Sequence, residues 1–142
     1  MDWQACIKQK IAKGVKVDKN LITSLMRSAD KKFKTGHSII LTDESATSKV
    51  SLLYESLREL LEALAISQGY KIYNHECYCP FLKEILHKST LADSFNQFRK
   101  LRNDVNYYGE DITAEEAKII LHETNELIGH IKVLLRELHY GL

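Results

Sequence analysis

The chain has 142 residues, 44% hydrophobic and 27% charged, a length that suits one compact domain with its own core. No apolar run approaches the length that spans a bilayer, and the opening MDWQACIKQK lacks the apolar stretch of a secretory signal, so we expect a cytoplasmic protein without a membrane partner. The net charge of +1 excludes a strongly basic or acidic chain, and the single proline favours helices.

Basic residues are concentrated at the start of the chain. Residues 1–36 hold nine Lys and Arg against three Asp and Glu, whereas the remainder is net negative. A solvated helix face is the favoured interpretation, and a surface facing phosphate is the alternative. Residues 1–16 are ambiguous, because Trp3, Ile7 and Ile11 fit either a short amphipathic helix or an arm that docks on a partner.

Two helices are predicted next. The first runs from Asp18, its N-cap, to Thr35, and the second spans Asp43 to Gln68. Gly36 and Gly69 follow them, where a left-handed residue commonly ends a helix. The apolar positions of the first helix are Leu21, Leu25, Ala29 and Phe33, and those of the second are Val50, Leu53, Tyr54, Leu57, Leu60, Leu61 and Leu64.

The connection GYKIYNHECYCP carries two of the three cysteines, Cys77 and Cys79, and the third is Cys6. An odd count without a secretion signal argues against a disulfide scaffold. His75 and the two cysteines are zinc-binding residue types, but the C-x-C spacing is tighter than usual and no second cysteine pair exists. We therefore predict a buried turn anchored by hydrogen bonding of His75, with no metal and no cofactor.

Three further helices complete the predicted fold. Pro80 begins a short third helix, the fourth runs from Thr90 to Gly109, and the fifth opens at Thr113 with a capping box. The apolar positions of the fifth are Ala117, Ile120, Leu121, Leu127, Ile128, Ile131, Leu134, Leu135 and Leu138. No strand pattern is found, so we predict an all-α, up-and-down bundle of four to five helices in a single domain.

The fourth helix ends in FRKLRNDVNYYGE and places a polar ridge beside its apolar face. Arg99, Arg102 and Asn106 line up along this ridge. Arg102 has two interpretations: it pairs with Glu55 or Glu59 as a structural tie, or it holds a phosphate with help from Asn106. The spacing alone favours the tie, since arginines at a core edge commonly pair.

This stretch, together with the long helix LLYESLRELLEALAISQGYKIYNHEC, resembles the HEPN superfamily of small helical domains over nearly the whole chain. Members carry an arginine, then a polar residue, and a histidine more than one turn later. Arg102 and Asn103 match the first two positions, and Asn106, Tyr107 and Tyr108 occupy the histidine positions.

The resemblance implies a homodimer, because in active members arginine and histidine from two subunits meet and cleave RNA without metal. Neither an asparagine nor a tyrosine with a reference pKa of about 10 is a good base at neutral pH, so we expect binding rather than cleavage and predict no catalytic residue. The predicted binding residues are Arg102, Asn103, Asn106 and Tyr107, with Arg99 second. His122 or His130 is a minor candidate for a displaced base.

Three functions remain open at this stage. The first is a module that binds RNA or a nucleotide as the partner of a minimal nucleotidyltransferase, as in the helical branch of the superfamily, within a toxin–antitoxin or stress system. The second is a metal-independent ribonuclease with a displaced base. The third is a purely structural dimerisation domain.

Overall fold

The computed structural model describes residues 1–106 and 112–141, without the side chains of residues 104–106. The fold over these residues is mostly helical, which confirms the all-α prediction at that level. The helices are α1 (Trp3–Lys8), α2 (Lys19–Ser38), α3 (Ala46–Ser67), α4 (Tyr78–Pro80), α5 (Ser89–Asn106) and α6 (Ala114–Glu137). A 3-10 turn (His75–Cys77) precedes α4, and a π-helical turn (Phe81–Ile85) follows it, so Pro80 lies inside this helical segment rather than at its first position.

Helices α2 and α3 form a closely packed antiparallel pair. The predicted N-cap is confirmed, since the Asp18 carboxylate accepts from the Leu21 N–H at 3.0 Å. The predicted helix end at Gly36 is wrong: α2 continues to Ser38, and Gly36 is buried against α3. A Cβ at that position would lie 2.9 Å from Leu53 Cγ, so this glycine permits the close approach of the two helices.

Helix α3 is the centre of the core, and α2 and α6 pack against it. All seven apolar positions predicted for α3 are buried. Helix α6 begins at the predicted capping box, in which Thr113 and Glu116 exchange hydrogen bonds. The apolar face predicted for α2 is confirmed at Ala29, which is buried, but nearer the N-terminus Ile22 and Met26 are buried while Leu21 and Leu25 are only half-buried.

The N-terminal segment packs on its own domain. Trp3 is buried, with its ring 5.0 Å from that of Tyr70 and 5.8 Å from that of Phe81. Strands β1 (Ala12–Gly14) and β2 (Tyr70–Ile72) pair antiparallel, a small sheet that the sequence pattern did not predict. These contacts make residues 1–14 part of the domain.

A disulfide joins Cys6 of α1 to Cys77 of the 3-10 turn, so the expectation drawn from the odd cysteine count is wrong. An odd number of cysteines requires only that one stays unpaired, which is Cys79. The other two lie close enough in the fold to form the bond. The predicted helix end at Gly69 is confirmed by its φ of 82°. Within residues 1–106 and 112–141, no helix combines the length and apolar character needed to cross a bilayer.

Candidate functional site

Helix α5 positions the arginine ridge at the edge of the face that it buries. Phe95 and Phe98 are buried, as the helical spacing predicts. Arg99 and Arg102 lie one turn apart at the edge of that face and are half-buried. Their aliphatic stems pack at the core boundary while their guanidinium groups remain within reach of a ligand.

Arg102 stacks on an aromatic ring of α3. Its guanidinium carbon lies 3.5 Å from the centroid of Tyr54, a cation–π contact that fixes the plane of the cation. The Nε atom of Arg102 is buried and has no hydrogen-bond partner among the described residues. Because Nε is shielded, the donors open to a ligand are the two terminal nitrogens, for which no hydrogen bond is found among the described residues. An oriented arginine of this kind is suited to bidentate recognition of a phosphate or carboxylate.

The sequence spacing favoured an ion pair of Arg102 with Glu55 or Glu59, and neither pair is found among the described residues. Glu55 pairs with Arg58, at 2.9 Å between Oε2 and Nη2. Glu59 is buried and pairs with Lys32 of α2. Both carboxylates are therefore engaged by other cations. Arg102 instead contacts the ring of Tyr54.

His75 enters this site from the connection between β2 and α4. Its Nδ1 lies 2.9 Å from the Tyr54 hydroxyl, so the prediction that His75 anchors the loop by hydrogen bonding is confirmed. Burial lowers the pKa of His75, and the nearby cations Arg102, Arg58 and Arg99 lower it further. The imidazole is therefore neutral at neutral pH, the form that can act as a base, although the surrounding positive charge makes it a weaker one.

Tyr54 joins the histidine to the arginine. Its ring carries Arg102, its hydroxyl meets His75, and burial raises its pKa in spite of the surrounding arginines. The hydroxyl consequently stays protonated at neutral pH. We name Tyr54, His75 and Arg102 the arginine–histidine cluster.

Arg99 occupies the other side of the ridge. One of its terminal nitrogens donates to Oδ1 of Asn96 at 3.2 Å, and its Nε is buried without a partner among the described residues. The Cys79 thiol lies 3.8 Å from the same Asn96 oxygen. Burial raises the pKa of this thiol, although Arg99 acts in the opposite direction.

Arg58 supplies a third cation, but carboxylates neutralise it. It contacts Glu55 at 2.9 Å and Glu62 at 3.7 Å, and Lys71 also reaches Glu62 at 2.8 Å. Arg58, Lys71 and His75 line a pocket of about 190 Å³. Arg99 and Arg102 are therefore the better candidates for an anionic ligand.

Of the remaining predicted site residues, the structure describes the side chain of Asn103 alone. Asn103 is exposed on α5, and Asn106 is the last residue of that helix, with its side chain outside the described part. Tyr107 and Tyr108 also lie outside the described residues. Arg99 and Arg102 lie one turn apart on α5, and the binding role of all these residues stays a prediction.

The minor candidates for a displaced base, His122 and His130, lie outside the arginine–histidine cluster, and their role stays a prediction. His122 and His130 are exposed on α6, and His130 lines a separate pocket of about 560 Å³. His75 is the histidine linked to Arg102 through Tyr54, and no spacing rule identifies it because the three residues come from three different elements.

The zinc-type residues of the connection have other roles in the described structure. Cys77 is bonded to Cys6, so its sulfur is no longer a thiolate ligand. His75 contacts Tyr54, and Cys79 contacts Asn96. Over the described ranges, no three His, Cys, Asp or Glu side chains are grouped to hold a metal ion.

Comparison with known proteins adds no relative to this description. No family model matches the chain, and searches of curated proteins and of solved structures give no match.

Proposed function

We propose that the protein is a HEPN-like helical module that binds RNA or a nucleotide through Arg102, with Arg99 beside it. In this proposal it acts as the substrate-binding partner of a minimal nucleotidyltransferase in a toxin–antitoxin or stress system. The observation that carries the binding role is the Arg102 guanidinium stacked on Tyr54, oriented and not neutralised by a carboxylate among the described residues.

The chemistry of the two arginines supports an anionic ligand such as a phosphate over a neutral one. Arginine keeps its charge at all physiological pH values and offers a planar set of donors that matches phosphate oxygens. Arg99 and Arg102 lie one helical turn apart on α5, with the Arg102 guanidinium on the Tyr54 ring and that of Arg99 on Asn96. Two cations one turn apart suit successive phosphates of a nucleic acid.

Fluorescence anisotropy with labelled single-stranded RNA, and competition by ATP, tests the binding role. Arg102→Ala should weaken RNA binding by about tenfold or more, since a charge-assisted contact contributes roughly 1.5–3 kcal/mol. Arg27→Ala, at an exposed position of α2, is the matched control and should bind like the wild type. Equal affinity of both variants would remove Arg102 from the site.

The proposed assembly is a homodimer that places the start of the arginine ridge at the subunit boundary. The proposal rests on the resemblance and on the polar ridge lying beside the apolar face of α5. Light scattering at micromolar concentration should give the mass of two chains, and a strict monomer would contradict it.

A second candidate function is metal-independent RNA cleavage with His75 as the displaced base, and the arginine–histidine cluster favours it. His75 would remove the proton from a ribose 2′-hydroxyl, whose oxygen attacks the adjacent phosphorus. The bond to the 5′-oxygen then breaks and that oxygen takes up a proton from water, giving a 2′,3′-cyclic phosphate and a 5′-hydroxyl end, while Arg102 stabilises the phosphate charge.

Digestion of labelled RNA in the presence of a chelator separates the two candidates. The ribonuclease requires robust cleavage by the wild type that is lost in both His75→Ala and Arg102→Ala. The binding module requires RNA binding without cleavage, and His75→Ala should then bind RNA nearly as well as the wild type.

A further inference from the structure

A cleft of about 760 Å³ adjoins Arg99 and has no role in the proposed function so far. It lies between the N-terminal segment, the connection around Cys79 and the first half of α5. Small-molecule sites in proteins commonly have volumes of about 300–1,000 Å³, so the cleft is large enough for a ligand of nucleotide size.

One end of the cleft offers hydrogen-bond donors. Asn96 Oδ1 accepts from Arg99 at 3.2 Å, which orients the amide and leaves its NH2 group to donate elsewhere. The Nε of Arg99 is buried, so the donors that Arg99 presents to the cleft are its terminal guanidinium nitrogens. Arg99 and Asn96 therefore form a donor pair on one face of α5 that fits a phosphate.

The other part of the cleft offers acceptors. Four carboxylates line it, but Asp2 accepts from the Ala5 N–H and Glu84 from the Trp3 N–H, both at 2.8 Å. Asp93 and Glu76 are exposed, and no hydrogen bond from a described side chain occupies the Asp93 carboxylate. Carboxylates in this position accept from sugar hydroxyls or from the amino group of a base.

The distance between the donors and the acceptors suits one ligand that has a phosphate at one end and hydroxyl or amino groups at the other. Asp93 precedes Arg99 by six residues, which is about 9 Å along a helix that rises 1.5 Å per residue. A phosphate at Arg99 and a ribose or base near Asp93 span a comparable length. Inorganic phosphate alone would leave the acceptor end unused.

We infer that this cleft binds a mononucleotide, with its phosphate on Arg99 and Asn96 and its nucleoside part against Asp93. The inference rests on the proposal that the α5 arginines bind phosphate, and it names the ligand as a single nucleotide held in a pocket. The RNA-binding role of Arg102 and the nucleotide role of Arg99 then belong to two adjoining surfaces of the same helix.

The molecule carries its own reporter for this site, because Cys79 lines the cleft and is its single unpaired cysteine. Alkylation of Cys79 by iodoacetamide is followed by mass spectrometry of the intact, disulfide-bonded protein. Mildly alkaline buffer is needed because burial raises the pKa of the thiol. Adenosine 5′-monophosphate at about ten times its dissociation constant should slow the reaction about tenfold, by simple occupancy.

Arms with inorganic phosphate and with adenosine, each at the same concentration, show which part of the ligand binds. We expect much weaker protection from either alone. Asp93→Asn should reduce protection by the mononucleotide and leave the reaction without ligand unchanged. Glu137→Gln, an exposed substitution on α6, is the matched control and should behave as the wild type.

A rate of Cys79 alkylation that the mononucleotide does not change overturns the inference. Protection by inorganic phosphate equal to that by the mononucleotide also overturns it, because the cleft would then be a simple anion site. These outcomes are distinguishable from failure of the proposed function. If labelled RNA still binds and Arg102→Ala still weakens it, only the cleft assignment falls. If neither RNA nor the mononucleotide binds, the phosphate-binding role of the arginines falls with it.

Discussion

The guanidinium carbon of Arg102 lies 3.5 Å from the centroid of the Tyr54 ring, so a cation from α5 rests on an aromatic face supplied by α3. The same tyrosine places its hydroxyl 2.9 Å from Nδ1 of His75. One buried side chain thus supports both the charged and the titratable member of the arginine–histidine cluster. Ligand binding at Arg102 should consequently depend on a residue that need not touch the ligand.

Substitution of Tyr54 tests this dependence. Tyr54→Leu removes the ring and should weaken RNA binding, because a cation–π contact contributes about 0.5–2 kcal/mol to holding the guanidinium in place. Tyr54→Phe keeps the ring and loses only the hydroxyl, so it should bind RNA nearly as the wild type does. Fluorescence anisotropy measures both, with circular dichroism as the check on folding. Equal losses in the two variants would show that the hydroxyl, and not the ring, positions the site.

Local patterns in the sequence predicted most helices and their caps, because these depend on neighbouring residues. Asp18 and Thr113 cap helices where the spacing indicated, and the apolar positions of α3 are buried as a set. The three-residue strands were missed because a strand of that length cannot show an alternating pattern. Gly36 was misread because a glycine that ends a helix and one that admits a neighbouring helix look alike in sequence.

The candidate site was predictable only on one helix. Arg99 and Arg102 share a face of α5, and helical spacing placed them there. The contact of His75 with Tyr54 and the bond between Cys6 and Cys77 join residues far apart in the chain, so neither follows from any local rule. The sequence therefore indicated the cations of the site, and the fold added the histidine.

The close approach of α2 to α3 predicts opposite effects for two glycine-to-alanine substitutions. Gly36→Ala puts a methyl group 2.9 Å from Leu53 Cγ, and overpacking of this kind costs about 1–3 kcal/mol, more than the gain in helix propensity. Gly129→Ala, on α6 with nothing within 4 Å of the added Cβ, should stabilise by roughly 0.5–1 kcal/mol. Urea denaturation gives both values. A Gly36→Ala variant as stable as the wild type would mean that Leu53 moves aside without cost.

The disulfide should contribute strongly to stability, because Cys6 and Cys77 are separated by 71 residues. Replacing both by serine should lower the free energy of unfolding by about 2–5 kcal/mol, and reductant should lower that of the wild type by a similar amount. Cys79→Ser is the control and should retain the response to reductant. Peptide mapping without reduction checks the bond directly. Alkylation of Cys6 and Cys77 in the unreduced, denatured protein would contradict the pairing.

His75 should make the fold less stable as the pH falls through about 6.5, its ordinary pKa. Burial and the cations Arg102, Arg58 and Arg99 lower its pKa in the folded state, so the unfolded chain takes up the proton first. Between the folded and unfolded pKa values the unfolded chain binds more protons, and the free energy of unfolding therefore rises with pH and declines towards acid. His75→Gln should remove this part of the pH dependence, while His122→Gln, at an exposed position on α6, should keep it. Urea denaturation at pH values from about 5 to 7.5 measures the difference between each variant and the wild type. Parallel curves for His75→Gln and the wild type would show that His75 is as free to ionise in the fold as in the unfolded chain.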